Sequence, residues 1–201
     1  MTDTGRSGRS ALLVVDVQND FCTGGALAVP GSEAVVAALN RHIVDAVARG
    51  MPVYASRDWH PATTSHFQPF GGVWPIHCVQ DSEGARFHPD LTLPPTAIVV
   101  SKGEESERPG YSALEGRTPD GTPFLTDVQN RGIARLYVGG LATDYCVKHS
   151  VLDALSSGLQ VIVLEDAVAG VDVHAGDSSR AMADMREKGA AVAAGEGALS
   201  R

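Results

Sequence analysis

The sequence predicts a three-layer α/β/α fold, in which a mostly parallel six-stranded sheet carries helices on both faces. Three observations predict it. Short, continuous apolar runs alternate with segments whose apolar residues recur at helical spacing. The runs lack a polar face, which is typical of strands buried on both sides. Glycines end most of the helical segments. Such an alternation implies right-handed crossovers between parallel strands.

The first half of the chain supplies one helix and three strands. Residues 11–15 form an apolar run, which predicts a strand. Ser32 can cap the following helix, because a serine hydroxyl accepts a hydrogen bond from a free amide of the first turn. The helix runs through Ala48, and Gly50 stops it. Two further apolar runs predict strands at residues 52–56 and 97–100.

The second half continues the alternation. Pro123 occupies the first position of a helix, where its missing N–H costs nothing, and Gly132 ends that helix. Residues 133–138 form the fourth strand and lead into a helix that Thr143 caps and Gly158 stops. The remaining predicted elements are a strand at residues 159–164, a helix at 173–188 and a weak strand at 190–193.

Composition and length predict one domain that spans residues 1–201, with loose tails at 1–9 and about 195–201. The formal net charge of −8 argues against nucleic acid and anionic membranes as partners. Three cysteines without paired spacing do not form a disulfide framework. The sequence has no long apolar segment and no signal-peptide pattern, which favours a cytoplasmic protein. It leaves open whether the chain forms a homo-oligomer.

Four reactive residues follow four of the predicted strands. Asp16, Asp58 and Lys102 lie at the ends of the first three strands, and Cys146 follows the fourth. Ligands of open parallel sheets bind outside the carboxyl ends of the strands. If these strands are neighbours, the four side chains converge in one crevice. Each residue alone has a simpler interpretation, as a turn cap, a surface charge or a buried structural cysteine.

The chemistry of a thiol, a carboxylate and an ammonium predicts acyl transfer. Cys146 falls in the first turn after Thr143, where the helix dipole favours thiolate. Asp16 can take the thiol proton if burial raises its pKa, and Lys102 offsets the negative charge. The turn at residues 140–142 and the first amides of the helix can stabilise an oxyanion. These roles suit hydrolysis of an amide through a thioester.

A second group of candidate residues lies in a long loop, residues 59–95. Asp58 and His60 are two positions apart, and His66 and His77 follow within twenty residues. One carboxylate and three imidazoles suit one divalent transition metal, Zn, Fe or Mn. A lone histidine is more often a satisfied polar residue than a ligand, but this combination favours a metal site.

Aromatic residues stand near the predicted crevice. Phe21, Trp74 and Tyr111 lie in loops that follow or connect the strands. They can line a flat pocket for a ring-shaped ligand. The alternative is ordinary packing between loops, and Tyr111 fits that alternative nearly as well.

These residues occur in five recognisable motifs: VVDVQNDF at 14–21, SRDWHP at 56–61, WPIHC at 74–78, SKG at 101–103 and GLATDYCV at 140–147. Taken jointly, they resemble the nicotinamidase branch of the isochorismatase-like cysteine hydrolases over about residues 11–194. The resemblance implies hydrolysis of nicotinamide, a small-molecule substrate, to nicotinate and ammonia in NAD salvage. Pyrazinamide is a further expected substrate.

The resemblance also implies roles for single residues. Cys146 is the expected nucleophile, Asp16 the proton carrier and Lys102 the third member of the triad. The family has a cis peptide in the oxyanion turn, which corresponds here to Leu141–Ala142. Amides of Ala142 and Cys146 are the expected oxyanion donors.

The resemblance also implies which residues bind the metal and which contact the ring of the substrate. The resemblance implies that the metal holds the pyridine nitrogen of the substrate. Asp58, His60 and His77 correspond to its ligands, and His66 to a position that ligates it in some members. The positions expected to contact substrate are Phe21, Trp74, Tyr111 and Leu141.

Two other functions compete with this interpretation. A metal-free isochorismatase, or another amidase of the family, shares the triad but lacks the Asp-x-His and histidine set. A non-catalytic scaffold of the same fold should have lost Cys146, Asp16 or Lys102, and all three are present. The acidic loop 104–109 departs from the family pattern, and its contacts remain unassigned.

Overall fold

The computed structural model describes residues 8–108 and 110–200. Its strands are β1 (Arg9–Val15), β2 (Val53–Asp58), β3 (Ile98–Lys102), β4 (Ile133–Leu141), β5 (Gln160–Ala169) and β6 (Ala191–Ala193). They pair in parallel throughout, in the order β3-β2-β1-β4-β5-β6. The six-stranded parallel sheet predicted from the sequence is confirmed.

Helices cover both faces of the sheet, as the three-layer prediction requires. They are α1 (Ser32–Ala48), α2 (Phe124–Asn130), α3 (Lys148–Ser156) and α4 (Asp177–Glu187). The apolar side of α1 packs into one core, whereas α2, α3 and α4 pack into a second core on the opposite face. The N-cap prediction for α1 is wrong. Gly31, in the left-handed region, precedes the helix, and Ser32 is its first residue.

The strand order creates a crevice where β1 and β4 lie side by side. From β1 the chain adds β2 and β3 outward on one side, and from β4 it adds β5 and β6 on the other. Loops therefore diverge from the carboxyl ends of this central pair, which is where parallel α/β sheets bind ligands. The four strands that end in predicted site residues are neighbours, as expected.

Gly140 allows β4 to approach β1 closely. A Cβ atom at this position would lie 2.1 Å from the carbonyl oxygen of Val15, and the backbone φ is +132°. Both conditions exclude a side chain without a shift of the backbone. The glycine therefore lets the chain segments that carry Asp16 and Cys146 begin in contact.

The chain ends differ from the predicted loose tails. Residues 1–7 and 201 lie outside the described residues. Arg9 already begins β1. Residues Ala198–Ser200 form a 3₁₀ turn, in which the side chain of Leu199 is only 2% exposed. The Tyr137 hydroxyl donates a hydrogen bond of 3.2 Å to the carbonyl of Leu199. The prediction of a loose tail is therefore wrong for residues 198–200.

No helix within the described ranges 8–108 and 110–200 combines the length and the apolar character that crossing a bilayer requires.

Candidate active site

The ammonium group of Lys102 is the centre of the site. Its Nζ lies 2.8 Å from Oδ2 of Asp16 and 2.5 Å from Oδ1 of Asp58. It also donates to the carbonyl of Gly110 at 2.9 Å and to the sulfur of Cys146 at 3.5 Å. The ends of three strands and the turn after β4 therefore converge, as the strand-end argument expects.

Burial and mutual contact shift the ionisation of these groups. Burial alone would lower the pKa of Lys102, but the carboxylates of Asp16 and Asp58 outweigh it and hold that pKa well above its usual range. Burial raises the pKa of Asp16 against the opposing attraction of Lys102. A carboxylate with a raised pKa is a stronger base. The expected desolvation of Asp16 is confirmed.

Burial opposes the thiolate form of Cys146, which the helix dipole favours. Burial raises the pKa of its thiol well above the usual range, although Lys102 lowers it. The cysteine is 6% exposed, and two carboxylates lie close by. Burial and these carboxylates both disfavour a negative charge on the sulfur. The resting nucleophile is therefore a thiol that must pass its proton to a base.

Asp16 has one oxygen that is free to receive this proton. Its Oδ1 accepts a hydrogen bond of 2.7 Å from the hydroxyl of Ser56. Its Oδ2 is buried and forms the ion pair with Lys102 but accepts no hydrogen bond of suitable geometry. Acceptor atoms of Asp16 and Cys146 lie within 4.8 Å of each other. The arrangement suits proton exchange between the sulfur and Oδ2.

The turn before the nucleophile has the expected cis peptide bond between Leu141 and Ala142. The carbonyl of Ala142 then accepts the amides of Tyr145 and Val147, both at 3.1 Å. Cys146 does lie in the first turn, but this turn, Thr143–Val147, is π-helical and precedes α3. The N-cap is Ala142, and no side chain caps the turn, so the capping role predicted for Thr143 is wrong.

Three histidines form a second cluster beside the lysine. Ring nitrogens of His60, His66 and His77 all lie within 4.8 Å of one another. Nδ1 of His60 lies 3.0 Å from the carbonyl of Gly103, and Nδ1 of His77 lies 2.7 Å from that of Pro75. A carbonyl accepts only from a protonated nitrogen, so in the neutral form of each ring Nε2 carries the lone pair. Nε2 of His60 is buried without a hydrogen-bond partner.

These features fit a divalent transition metal. Oδ2 of Asp58 lies 3.6 Å from Nε2 of His60, so a carboxylate borders the cluster. Burial and the neighbouring imidazoles lower the pKa of His66 to about 4. Metal ligation needs neutral imidazoles, and this pKa keeps His66 neutral near pH 7. The donor set of nitrogen and carboxylate oxygen suits Zn, Fe or Mn.

A pocket of about 400 Å³, its open mouth included, connects the cysteine and the histidines. Phe21, Trp74 and Tyr111 line it, as expected. The side chain of Leu141 does not line it, because Leu141 is fully buried in the core that packs against α1. The pocket lining is Phe21, Leu27, Asp58, His66, Trp74, His77, Tyr111, Ala142, Tyr145, Cys146 and Val171.

Three lining residues, Leu27, Tyr145 and Val171, are not among those predicted from the sequence. Tyr145 precedes the nucleophile, and its ring meets Trp74 edge-on with centroids 4.9 Å apart. Its position beside Cys146 was a usable signal. Leu27 and Val171 come from loops after β1 and β5, and no motif marks them. The Trp74 indole also donates a hydrogen bond of 2.8 Å to the hydroxyl of Tyr111.

Comparison with known proteins gives a consistent result. An isochorismatase domain model matches residues 10–196. The chain is 43% identical over 198 residues to the nicotinamidase of Escherichia coli (strain K12). The matched region covers 90% of this chain and 93% of the relative.

Solved structures agree with the sequence relatives. The structure is similar to the pyrazinamidase of Pyrococcus horikoshii in complex with zinc, with a TM-score of 0.86 and 38% identity over 93% of this chain and 99% of that chain. It is also similar to PnC1 from L. infantum in complex with nicotinate, with a TM-score of 0.80 and 32% identity over 94% of this chain and 93% of that one. The chain belongs to the isochorismatase domain family.

Proposed function

We propose that this protein is a metal-dependent cysteine amidohydrolase that converts nicotinamide to nicotinate and ammonia. The observation that carries the proposal is the position of Lys102, whose ammonium contacts Asp16 and Cys146 beside a pocket lined by His66 and His77. Nicotinamidase and pyrazinamidase relatives support the same conclusion. Pyrazinamide is a ring carboxamide of similar shape, so we expect it to be a second substrate.

The first half of the reaction forms a thioester. Oδ2 of Asp16 takes the thiol proton as the sulfur of Cys146 bonds to the carboxamide carbon. The carbonyl oxygen becomes an oxyanion, to which amides of Ala142 and Cys146 donate. The C–N bond then breaks, and Asp16 returns its proton to the departing ammonia. Throughout, Lys102 offsets the negative charge that moves between oxygen and sulfur.

The second half releases the acid. A water molecule loses a proton to Asp16 and attacks the thioester carbon. The tetrahedral species collapses with cleavage of the C–S bond, and Cys146 recovers the proton from Asp16. One water is consumed, and nicotinate and ammonia are the products. The same carboxyl group thus acts as base and acid in both halves, which a raised pKa permits.

The pocket walls orient the ring. Asp58, His60 and His77, with His66 as a further donor, would hold the divalent metal. When bound, that metal supplies a Lewis-acidic anchor for the ring nitrogen of the substrate. Aromatic side chains of Phe21 and Trp74 border the same space and exclude water from the reacting carbon. This donor set favours the proposal over a metal-free isochorismatase.

Ammonia release from nicotinamide tests the function. We expect the wild type to release ammonia and Cys146→Ala to lose roughly 10⁴-fold or more of the rate, because the covalent step is removed. Cys22→Ala is the matched control, since Cys22 is also buried and free but lies away from the pocket. Full activity of Cys146→Ala would contradict the proposal.

We also propose that the chain forms a single domain and acts in the cytoplasm. All three cysteines are free. A reducing compartment preserves free thiols and hence the nucleophile.

A further inference from the structure

Gly103 and Gly110, the two glycines that flank the acidic loop 104–109, contact both halves of the site. We call residues 103–110 the carbonyl loop; Pro109 lies outside the described residues. Its charged side chains are exposed at Glu104, Glu105, Glu107 and Arg108. Three of its backbone carbonyls, by contrast, form contacts: those of Gly103 and Gly110 with site residues, and that of Ser106 with Thr64 and Ser65.

Two of these carbonyls belong to the glycines at the loop ends. The carbonyl of Gly103 lies 3.0 Å from Nδ1 of His60, and the carbonyl of Gly110 accepts from Nζ of Lys102 at 2.9 Å. A Cβ atom on Gly110 would lie 2.4 Å from the amide nitrogen of Gly103. The two ends are therefore packed against each other, and a displacement of one moves the other.

The third carbonyl belongs to Ser106. It accepts hydrogen bonds from the Thr64 hydroxyl and from the Ser65 amide and hydroxyl, each at 2.9 Å. Thr64 is fully buried, and its hydroxyl oxygen also accepts the amide of His66 at 3.3 Å. Through this hydroxyl the loop reaches the backbone of a second histidine of the cluster.

We propose that the carbonyl loop positions the histidine cluster and the Lys102 ammonium as one unit. This inference rests on the proposed function, in which both groups act on the same substrate. A carbonyl that holds Nδ1 of a ligating histidine fixes its tautomer and ring orientation. The ammonium has three N–H donors, and the Gly110 carbonyl accepts one beside the carboxylates of Asp16 and Asp58. Because these contacts are made by backbone, the charged side chains of the loop do not contribute to them.

The first experiment compares Gly110→Ala with Glu107→Ala in the same loop. One readout is zinc affinity, by competition with a chromophoric chelator. The other is the rate at which iodoacetamide alkylates Cys146 in metal-free protein, by mass spectrometry. We expect Gly110→Ala to weaken zinc binding by roughly 10- to 100-fold and to change the alkylation rate about tenfold, as loss of a charged hydrogen bond does. Glu107→Ala should match the wild type in both.

A second pair of variants keeps the test valid if Gly110→Ala does not fold. Thr64→Val removes the hydroxyl at nearly constant volume, whereas Thr64→Ser retains it. We expect Thr64→Val to weaken zinc binding about tenfold and Thr64→Ser to restore it.

Specific results would overturn the inference. One is a folded Gly110→Ala protein with wild-type zinc affinity or wild-type alkylation. The other is Thr64→Val with the zinc affinity of the wild type. Neither readout requires turnover, so a wild type that fails to hydrolyse nicotinamide would contradict the proposed function alone.

Discussion

Nζ of Lys102 lies 2.8 Å from Oδ2 of Asp16, and both side chains are completely shielded from solvent. They come from β3 and from the residue after β1, so the lysine reaches across β2. Burial of a lone ammonium or carboxylate costs several kcal/mol, and each group here compensates the other. Asp58 adds a second carboxylate to the same ammonium. Burial, and after it the charge of these two carboxylates, raises the pKa of the Cys146 thiol, although Lys102 lowers it.

Replacement of the central cation should destabilise the protein as well as inactivate it. Lys102→Met leaves two buried carboxylates without a counter-charge, so we expect a loss of about 3 kcal/mol in the free energy of unfolding and no measurable hydrolysis. Urea denaturation measures the first effect. Lys148→Met is the control, because its ammonium pairs with Asp184 near the surface. Equal stability of the two variants would contradict this account.

Removal of the metal should abolish hydrolysis and lower the melting temperature. Ligand binding to the native state alone stabilises it, so dialysis against a chelator removes that contribution. Elemental analysis before and after dialysis measures the loss. His60→Ala should purify without a full equivalent of metal, whereas His174→Ala, whose side chain is 84% exposed, should retain it. Full activity of metal-free protein would favour the metal-free branch of the family instead.

The contact between β1 and β4 should not tolerate a side chain. Gly140→Ala places a Cβ atom 2.1 Å from the Val15 carbonyl, so we expect a much lower free energy of unfolding and little soluble protein. Gly158→Ala is the matched control, because its φ is also positive but no atom lies within 4 Å of its Cβ. It should cost only about 1 kcal/mol. Thermal melts of both variants test the comparison, and similar melting temperatures would refute it.

The ion pair between α1 and β5 should make stability depend on pH. Burial alone would raise the pKa of Asp166, but the hydrogen bond and charge of His42 bring it below the usual value of 3.8. Because the folded pKa is lower than the unfolded one, the carboxylate stabilises the protein above about pH 3.8 and loses this effect as the pH falls through the folded pKa. For the wild type, the urea concentration at the unfolding midpoint should decrease as the pH falls below about 3.8. For Asp166→Asn, this midpoint should depend less on pH.

The control for this titration is Glu187→Gln, a substitution at an exposed position at the end of α4. Its urea midpoints should follow those of the wild type at every pH. A wild-type curve as flat as that of Asp166→Asn would show that the pair does not contribute.

Local patterns in the sequence were sufficient for the order and kind of the main elements. Apolar runs marked every strand to within a few residues of its observed bounds, except β5, which extends to Ala169. Runs of apolar residues without alternation indicated a parallel sheet, and this sheet required the strand ends to share one edge. The convergence of Asp16, Lys102 and Cys146 could therefore be inferred before any distance was known.

Helix starts and chain ends were harder to predict. The turn that contains Cys146, Thr143–Val147, is π-helical with Ala142 as its N-cap. Leu199 packs against the sheet through contacts with residues far away in sequence. Neither outcome follows from local spacing, since both depend on which segments meet in space.

The sequence by itself determined which residue types stand at the ends of which strands. A thiol, an acid and an amine were therefore expected at one edge of the sheet. Only the tertiary structure decided their state and support. Burial raises the pKa of the Cys146 thiol, Tyr145 and Val171 complete the pocket, and the carbonyls of Gly103 and Gly110 contact His60 and Lys102. The physical reason is that desolvation and backbone hydrogen bonds depend on distances between remote segments, which residue identity does not encode locally.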